Sequence, residues 1–282
     1  RFSFPESAML DPVNDDEALL ETAWRKARDY WHNYTAREVV EELSDEAGRR
    51  AAVRYHVDAA DGSYAVTYDG EPMQLPQRHH FRELVDTDII EGYTAAYDIA
   101  PGDTVIDAGA YPGEFTAYAA RRCGPEGTVV ALEPGADNRE TLQAAVDLNG
   151  LDNVDIYGAA LHAVPGTVSF RQHRCLGNAV APDGEQTVEA VTLDGLVDRA
   201  GLDTVDFVKM DVEGGEIAAL KGAGETLAEH RPHVAVASYH GHPHRADGTT
   251  SGDVEDLLRE YGYDTLTGFD AHPTTWGIPR DA

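Results

Sequence analysis

The sequence predicts an α/β protein: a Rossmann-like, doubly wound and mostly parallel sheet, preceded by a small helix-plus-hairpin extension. Three observations carry that expectation. From about residue 86, short apolar runs alternate with helical stretches, the pattern of a parallel sheet covered on both faces. One of those runs, Val105–Asp107, opens into a loop with two glycines, Gly109 and Gly113, ahead of a helix. Ahead of residue 86 the periodicity differs and no such alternation is seen.

Taken in order, Asn14 and Glu17 have the spacing of a capping box, and Leu20, Trp24, Ala27, Trp31 and Tyr34 then recur at helical intervals. Val53–Val57 and Tyr64–Tyr68 alternate apolar and polar residues around Asp61-Gly62, which predicts a hairpin. Residues 1–85 are therefore expected to form the extension, and 86–282 the main domain. In the main domain the expected strands are Thr104–Asp107, Thr128–Glu133, Val154–Ala159, Val205–Met210, His233–Ser238 and Tyr263–Leu266, with a last edge strand at Thr274–Pro279. Helices are expected near 114–122, 136–149, 193–200, 214–222 and 252–261. Residues 163–191 break the rhythm, with Pro165-Gly166 and Pro182-Asp183-Gly184 as turns around a hairpin.

Composition narrows the function classes. The 282 residues carry 51 Asp and Glu against 22 Lys and Arg, a formal charge of −29, and only three of the cations are lysines: Lys26, Lys209 and Lys221. A carboxylate-rich surface repels itself in dilute buffer, whereas at about 1 M salt the Debye length falls to roughly 3 Å and the repulsion is screened. The expectation is a halophilic protein with an acidic surface. The same charge argues against a nucleic-acid partner, which needs a basic footprint. No apolar run approaches the roughly 18 residues of a membrane span, so a cytoplasmic location is expected. Cys123 and Cys175 lack a nearby partner cysteine and read as ordinary thiols.

The candidate site follows from the strand ends. Ligands of open α/β sheets bind beyond the carboxyl ends of the strands, where glycine lets backbone approach closely. The G-x-G-x-x-G spacing suited to a dinucleotide pyrophosphate is absent. An aspartate, Asp107, just before the loop suits a cofactor with an ammonium group and no phosphates, such as the methionine part of S-adenosylmethionine, directly, through water or by ordering the loop. The next strand ends in Glu133-Pro134, placing a carboxylate where it can accept hydrogen bonds from both ribose hydroxyls.

Val105 to Thr116, Glu133-Pro134, Asn149, Thr192-Leu193-Asp194 and the run Val208-Lys209-Met210-Asp211-Val212-Glu213-Gly214-Gly215-Glu216 together resemble the FkbM-type methyltransferases over roughly residues 86–240. The resemblance implies a class I methyltransferase fold, S-adenosyl-L-methionine as cofactor, and transfer to an oxygen of a carbohydrate, glycolipid or small metabolite. Carried onto this chain, it implies cofactor contacts from Asp107, Gly109, Ala110, Tyr111, Gly113, Thr116, Glu133, Pro134, Asn138, Ala159 and Ala160. The family usually has Asn where Tyr111 stands, so this side chain can alter the local geometry.

Asp211, Glu213 and Glu216 follow the fourth strand. Asp211 is the first candidate to orient the acceptor or take its proton. Glu213 suits either a catalytic role or the cap of the following helix, and Lys209 is expected to pair with a carboxylate near the sheet edge. After the fifth strand, His240, His242 and His244 alternate, able to bind a metal, supply a base or decorate a loop. His240, nearest the strand, is the candidate base, and no metal is assigned. A noncatalytic S-adenosylmethionine-binding module in a glycan-processing complex, a nitrogen or nucleic-acid methyltransferase, and a nicotinamide dehydrogenase stay open as alternatives. The aromatic N-terminal helix can pack on its own domain or on a second copy, as in a homodimer.

Overall fold

The computed structural model describes residues 54–58, 63–68, 71–76, 88–172, 179–238, 250–268 and 273–280. The helix expected from Asn14 onward, Cys175 and the histidines from His240 to His244 lie outside the described residues.

Seven strands form the central sheet: β4 (Thr104–Ala108), β5 (Thr128–Leu132), β6 (Val154–Tyr157), β11 (Phe207–Met210), β12 (His233–Ala237), β13 (Tyr263–Gly268) and β14 (Thr274–Pro279). Their order is β13-β14-β12-β11-β4-β5-β6. β14 runs antiparallel to both neighbours, while the pairs from β12 through β6 are parallel. The chain leaves β4 for β5 on one side and later returns to β11 on the other. The crevice between β4 and β11 is thus the topological switch point, where doubly wound sheets bind ligands.

Alternate strand residues enter two cores. Val105, Phe207 and Ala235 face a cluster with Phe115 and Tyr118 of α2 (Glu114–Cys123) and with Tyr93 of α1 (Asp88–Thr94). Ile106, Val208 and Val234 face the opposite cluster. Its helices are α4 (Leu193–Ala200), α5 (Glu216–Lys221), α6 (Gly224–Glu229) and α7 (Ser251–Glu260), contributing Leu196, Leu220, Leu227 and Leu258. Burial of each such side chain contributes about 1.5–3 kcal/mol, and burial on both faces explains why the strands read as continuous apolar runs.

The N-terminal hairpin is a three-stranded sheet. β1 (Arg54–Asp58) and β2 (Ser63–Tyr68) pair antiparallel, and β3 (Glu71–Pro76), not expected from sequence, pairs with β2. Met73 and Leu75 of β3 are fully buried in the core cluster of α2. α3 (Ala136–Asn149) holds the same strand by its backbone: the Asn149 amide accepts from the Gln74 N–H at 2.9 Å and donates to the Gln74 carbonyl at 2.6 Å. A side chain thus makes the pair of bonds that a neighbouring strand would make.

Two more departures from the sequence reading have local causes. The strand expected over 154–159 breaks at Gly158, leaving β6 in the central sheet and β7 (Ala159–Leu161) in a second sheet of order β7-β10-β8-β9. A Cβ at residue 158 would lie 2.9 Å from Cζ of Arg139, whose guanidinium lies against this point. The other strands of that sheet are β8 (Gly166–Arg171), β9 (Ala179–Val180) and β10 (Gln186–Val191), antiparallel within the segment where one hairpin was expected. The helix expected over 214–222 starts late, at Glu216, because Glu213 and Gly214 adopt φ of 54° and 100°. The short α6 follows it, and Asp194 closes its start by accepting from the backbone N–H groups of Glu225 and Thr226 at 3.1 and 2.7 Å. In Thr192-Leu193-Asp194, Thr192 caps α4 and Asp194 caps α6.

Candidate active site

The loops that leave β4, β5 and β11 border a cleft that opens to solvent. Gly109 and Tyr111 come from the first loop, Glu133 and Pro134 from the second with Asn138 from the start of α3, and Asp211, Val212, Glu213 and Gly215 from the third. Ala159, Ala160 and Leu161 of β7, with Phe170 of β8 and Val180 of β9, form an apolar wall. Of the residues expected from sequence, Gly109, Tyr111, Glu133, Pro134, Asn138, Ala159, Ala160, Asp211 and Glu213 line this cleft. Asp107, Ala110, Gly113 and Thr116 do not: Ala110 and Gly113, within the loop, pack toward α3, and Asp107 and Thr116 stand behind it. Phe170, Val180 and Val212 are additional lining residues. The first two belong to the irregular 163–191 segment, and no local pattern marks them.

Asp107 is fully buried and sits opposite Lys209 in the β4–β11 register. Lys209 Nζ lies 3.0 Å from Asp107 Oδ1, and Thr116 Oγ1 donates to Oδ2 at 2.5 Å. The same ammonium donates to the Gly109 carbonyl at 2.7 Å and lies 5.2 Å from the ring centre of Tyr93 and 5.9 Å from that of Phe115. Two charges this deep need each other, since either alone in the interior would lack compensation for its lost hydration. Their work is to shape the loop. Gly109 holds φ +78°, and a Cβ there would fall 1.8 Å from the Asp211 carbonyl oxygen. The first loop is thus pressed directly onto the segment that carries Asp211.

Gly113 starts α2 and packs against α3, where a Cβ would meet Ala145 at 2.7 Å. Ala110 is buried with Leu142 and Val146 of α3.

Glu133 stands at the rim with 4% of its surface exposed. Its Oε1 accepts from the Gly135 N–H at 2.7 Å, and the Tyr111 N–H and the Asn138 side chain also bond to the carboxylate. Burial pushes its pKa up to about 7, against the opposing pull of those bonds and of the Lys209 charge. Behind it, Arg139 donates to the carbonyls of Glu133 and Pro134 at 3.0 and 3.1 Å, fixing the strand end. A carboxylate so poorly hydrated gains when ligand hydroxyls donate to it.

Asp211 follows β11, and its Oδ2 accepts from the Tyr93 hydroxyl at 2.8 Å. Glu213, two residues on, is on the cleft wall. Gly215, not Glu213, occupies the N-cap position of α5, and the fully buried Glu216 accepts from the Gly214 N–H at 3.0 Å. Glu216, the third acid of that motif, thus organises the turn into the helix. Among the described residues no group of His, Cys, Asp and Glu is arranged to hold a metal ion.

Glu133, Asp211 and Glu213 line the cleft, and no Lys, Arg or His does among the described residues. Such walls disfavour phosphates and favour a cationic ligand that also presents hydroxyls. These residues fit S-adenosylmethionine: Glu133 would take the ribose hydroxyls, and β7 to β9 offer an apolar face to the base.

Residues 107–265 match the family model described as the Methyltransferase FkbM domain. Methyltransferase sdnD of Sordaria araneosa is 27% identical over 207 residues, which cover 60% of this chain and 77% of that protein. Methyltransferase 1 of Beauveria bassiana is 27% identical over 154 residues, 45% of this chain and 61% of the relative. Among solved structures, the methyltransferase FkbM of Methylobacillus flagellatus superposes with a TM-score of 0.50 at 21% identity, a likeness of fold. It covers 72% of this chain, which spans only 56% of that structure's chain. With the family match extending over more than half of its length, the chain belongs to the FkbM family of S-adenosylmethionine-dependent methyltransferases.

Proposed function

We propose that the protein transfers the methyl group to a hydroxyl oxygen of a glycan, a glycolipid or a small hydroxylated metabolite. The observation that carries this reading is the Asp211 carboxylate, placed on the cleft wall beyond β11 and held by the Tyr93 hydroxyl at 2.8 Å. When bound, S-adenosylmethionine supplies an electrophilic methyl carbon on a sulfonium. A hydroxyl that attacks such a carbon must shed its proton, and a carboxylate within reach accepts it or aligns the oxygen. Glu213 adds a second carboxylate on the same wall. His240, three residues beyond β12 in sequence, is the alternative base.

Glu133 would bind the ribose hydroxyls. Asp107, Lys209 and Thr116 hold the loop around the methionine end, and the face formed by Ala160, Leu161, Phe170 and Val180 keeps water from the base. The anionic chain, with no cation on the cleft wall among the described residues, supports an uncharged or cationic acceptor over nucleic acid. No described helix is long and apolar enough to cross a membrane.

Calorimetry in molar salt tests the cofactor side. Glu133→Ala weakens S-adenosylmethionine binding at least about tenfold, and Asp107→Ala weakens it through the loop; full affinity in both variants would refute the assignment. Labelled methyl transfer into a lysate separated into glycans, lipids, small molecules and nucleic acids tests the acceptor, with label expected in one of the first three. The charge of −29 further supports a salt-rich setting, so the thermal midpoint rises on going from dilute buffer to molar KCl; a midpoint indifferent to salt would count against it.

A further inference from the structure

Tyr93 lies on α1, ahead of residues 107–265, the span that matches the family model. The residue is 4% exposed; two neighbours lie against its ring and a third holds the backbone beside it. It meets the Phe115 ring edge-on, centroids 5.7 Å apart at 81°. The Lys209 ammonium lies 5.2 Å from its centre. The Trp276 indole N–H of β14 donates to the carbonyl of the preceding residue, Gly92, at 2.8 Å and pins α1 to the sheet. From this seat the phenol donates to Asp211 Oδ2 at 2.8 Å, although Tyr93 does not itself line the cleft.

We infer that Tyr93 is a positioning residue for methyl transfer: its hydroxyl fixes the Asp211 carboxylate at the angle from which it meets the acceptor. This rests on the reading of Asp211 given above. A carboxylate on a short side chain after a strand end has several rotamers, and only some aim it at a reacting oxygen. A hydrogen bond to a charged oxygen from a ring that packing holds in place selects one of them. The same ring lies against Lys209, so one residue touches both the ion pair that shapes the cofactor loop and the carboxylate that faces the acceptor. Helix α1 therefore belongs to the active site although it lies ahead of the matched span.

The test is a double-mutant cycle with Tyr93→Phe, Asp211→Asn and both together in the full chain. The probe is labelled S-adenosylmethionine with whichever lysate fraction takes up methyl. Tyr93→Phe is expected to lower kcat about tenfold or more, with the S-adenosylmethionine Kd and thermal midpoint near wild type. Combined with Asp211→Asn it causes little further loss, because the hydroxyl acts through Asp211. A residue that only supports the fold would instead lower the midpoint and multiply with the second substitution, and that result overturns the inference. If Asp211→Asn keeps the wild-type rate, the reading of Asp211 falls and the inference with it. If Asp211→Asn is slow while Tyr93→Phe is not, the inference alone falls. A crystal structure of Tyr93→Phe needs no acceptor: Asp211 is expected in a changed rotamer, and an unmoved carboxylate overturns the inference.

Discussion

Replacing Glu133 with Gln is expected to strengthen the ligand-free fold while weakening cofactor binding. The carboxyl is raised from 4.5 to about 7, chiefly by burial. A carboxyl that ionises less readily in the folded than in the unfolded chain makes its full contribution below about pH 4.5, and that contribution is lost as the pH climbs through 7. The gap between the two values, at about 1.4 kcal/mol per pH unit, amounts to roughly 3 kcal/mol of lost stability in the ligand-free protein above pH 7. Gln carries no charge and removes this loss. It also replaces one acceptor oxygen by an NH2 group where the N–H groups of Gly135 and Tyr111 and the Asn138 side chain converge, costing about 1–2 kcal/mol. The net gain at pH 8 is thus about 1–2 kcal/mol, a midpoint several degrees higher by thermal denaturation at fixed salt. At pH 4 the gain vanishes and the variant is the weaker of the two. Calorimetry completes the test: wild-type affinity for S-adenosylmethionine rises with pH through 7, whereas the variant binds at least about tenfold more weakly with a flat profile. A Glu133→Gln protein that melts lower than wild type at pH 8, or that binds the cofactor as tightly, would refute the argument that an underhydrated carboxylate is held for the ribose.

Three further outcomes follow from the packing. Lys209→Met leaves Asp107 buried without its cation and costs about 3–5 kcal/mol in urea denaturation, part of it recovered by adding Asp107→Asn; a loss below about 1 kcal/mol would mean the pair is not compensating. Gly109→Ala forces a Cβ to within 1.8 Å of the Asp211 carbonyl oxygen at φ +78°, so the loop must leave β11. Measured by calorimetry, cofactor affinity should then fall more steeply than for Tyr111→Ala, whose backbone keeps its path; equal losses would speak against the close approach. Asn149→Ala removes the bonds to Gln74, costing about 1–2 kcal/mol, and amide exchange in β3 should quicken relative to β5. Equal protection of both strands in that variant would contradict the role given to Asn149.

Much of the fold was legible because burial leaves a compositional trace. Val105–Ala108 and Thr128–Leu132 read as strands since both faces are covered and no polar alternation intrudes. Helix α3 matched the expected 136–149 because glycines flank it at 135 and 150, and α4 matched because Thr192 and Gly201 mark its ends. β3 was invisible because Glu71-Pro72-Met73-Gln74-Leu75-Pro76 carries two prolines, the residue least suited to a strand. It persists because Met73 and Leu75 are buried and Asn149 satisfies Gln74.

The candidate site shows the same division. Glu133 and Asp211 were legible as acids at strand ends, and both line the cleft. Asp107 read as an acid serving the cofactor directly, through water or by ordering the loop, and Lys209 as the partner of some carboxylate; that the two meet, 102 residues apart, is set by the β4–β11 register. The place of Tyr93 leaves no local mark either, since nothing in the helix that carries it indicates Asp211. Phe170 and Val180 reach the cleft because their sheet begins with β7, which lies beside β5.

The proposed reaction is methyl transfer to oxygen with Asp211 at the acceptor. It is tested most directly by incubating the protein with 13C-methyl S-adenosylmethionine and the acceptor-bearing fraction in molar salt, and recording the carbon spectrum of the product. A methoxy carbon is expected with wild type, its rate of appearance falling about a hundredfold or more with Asp211→Asn. A methyl carbon bound to nitrogen, or a methoxy product formed as fast by Asp211→Asn as by wild type, would contradict it.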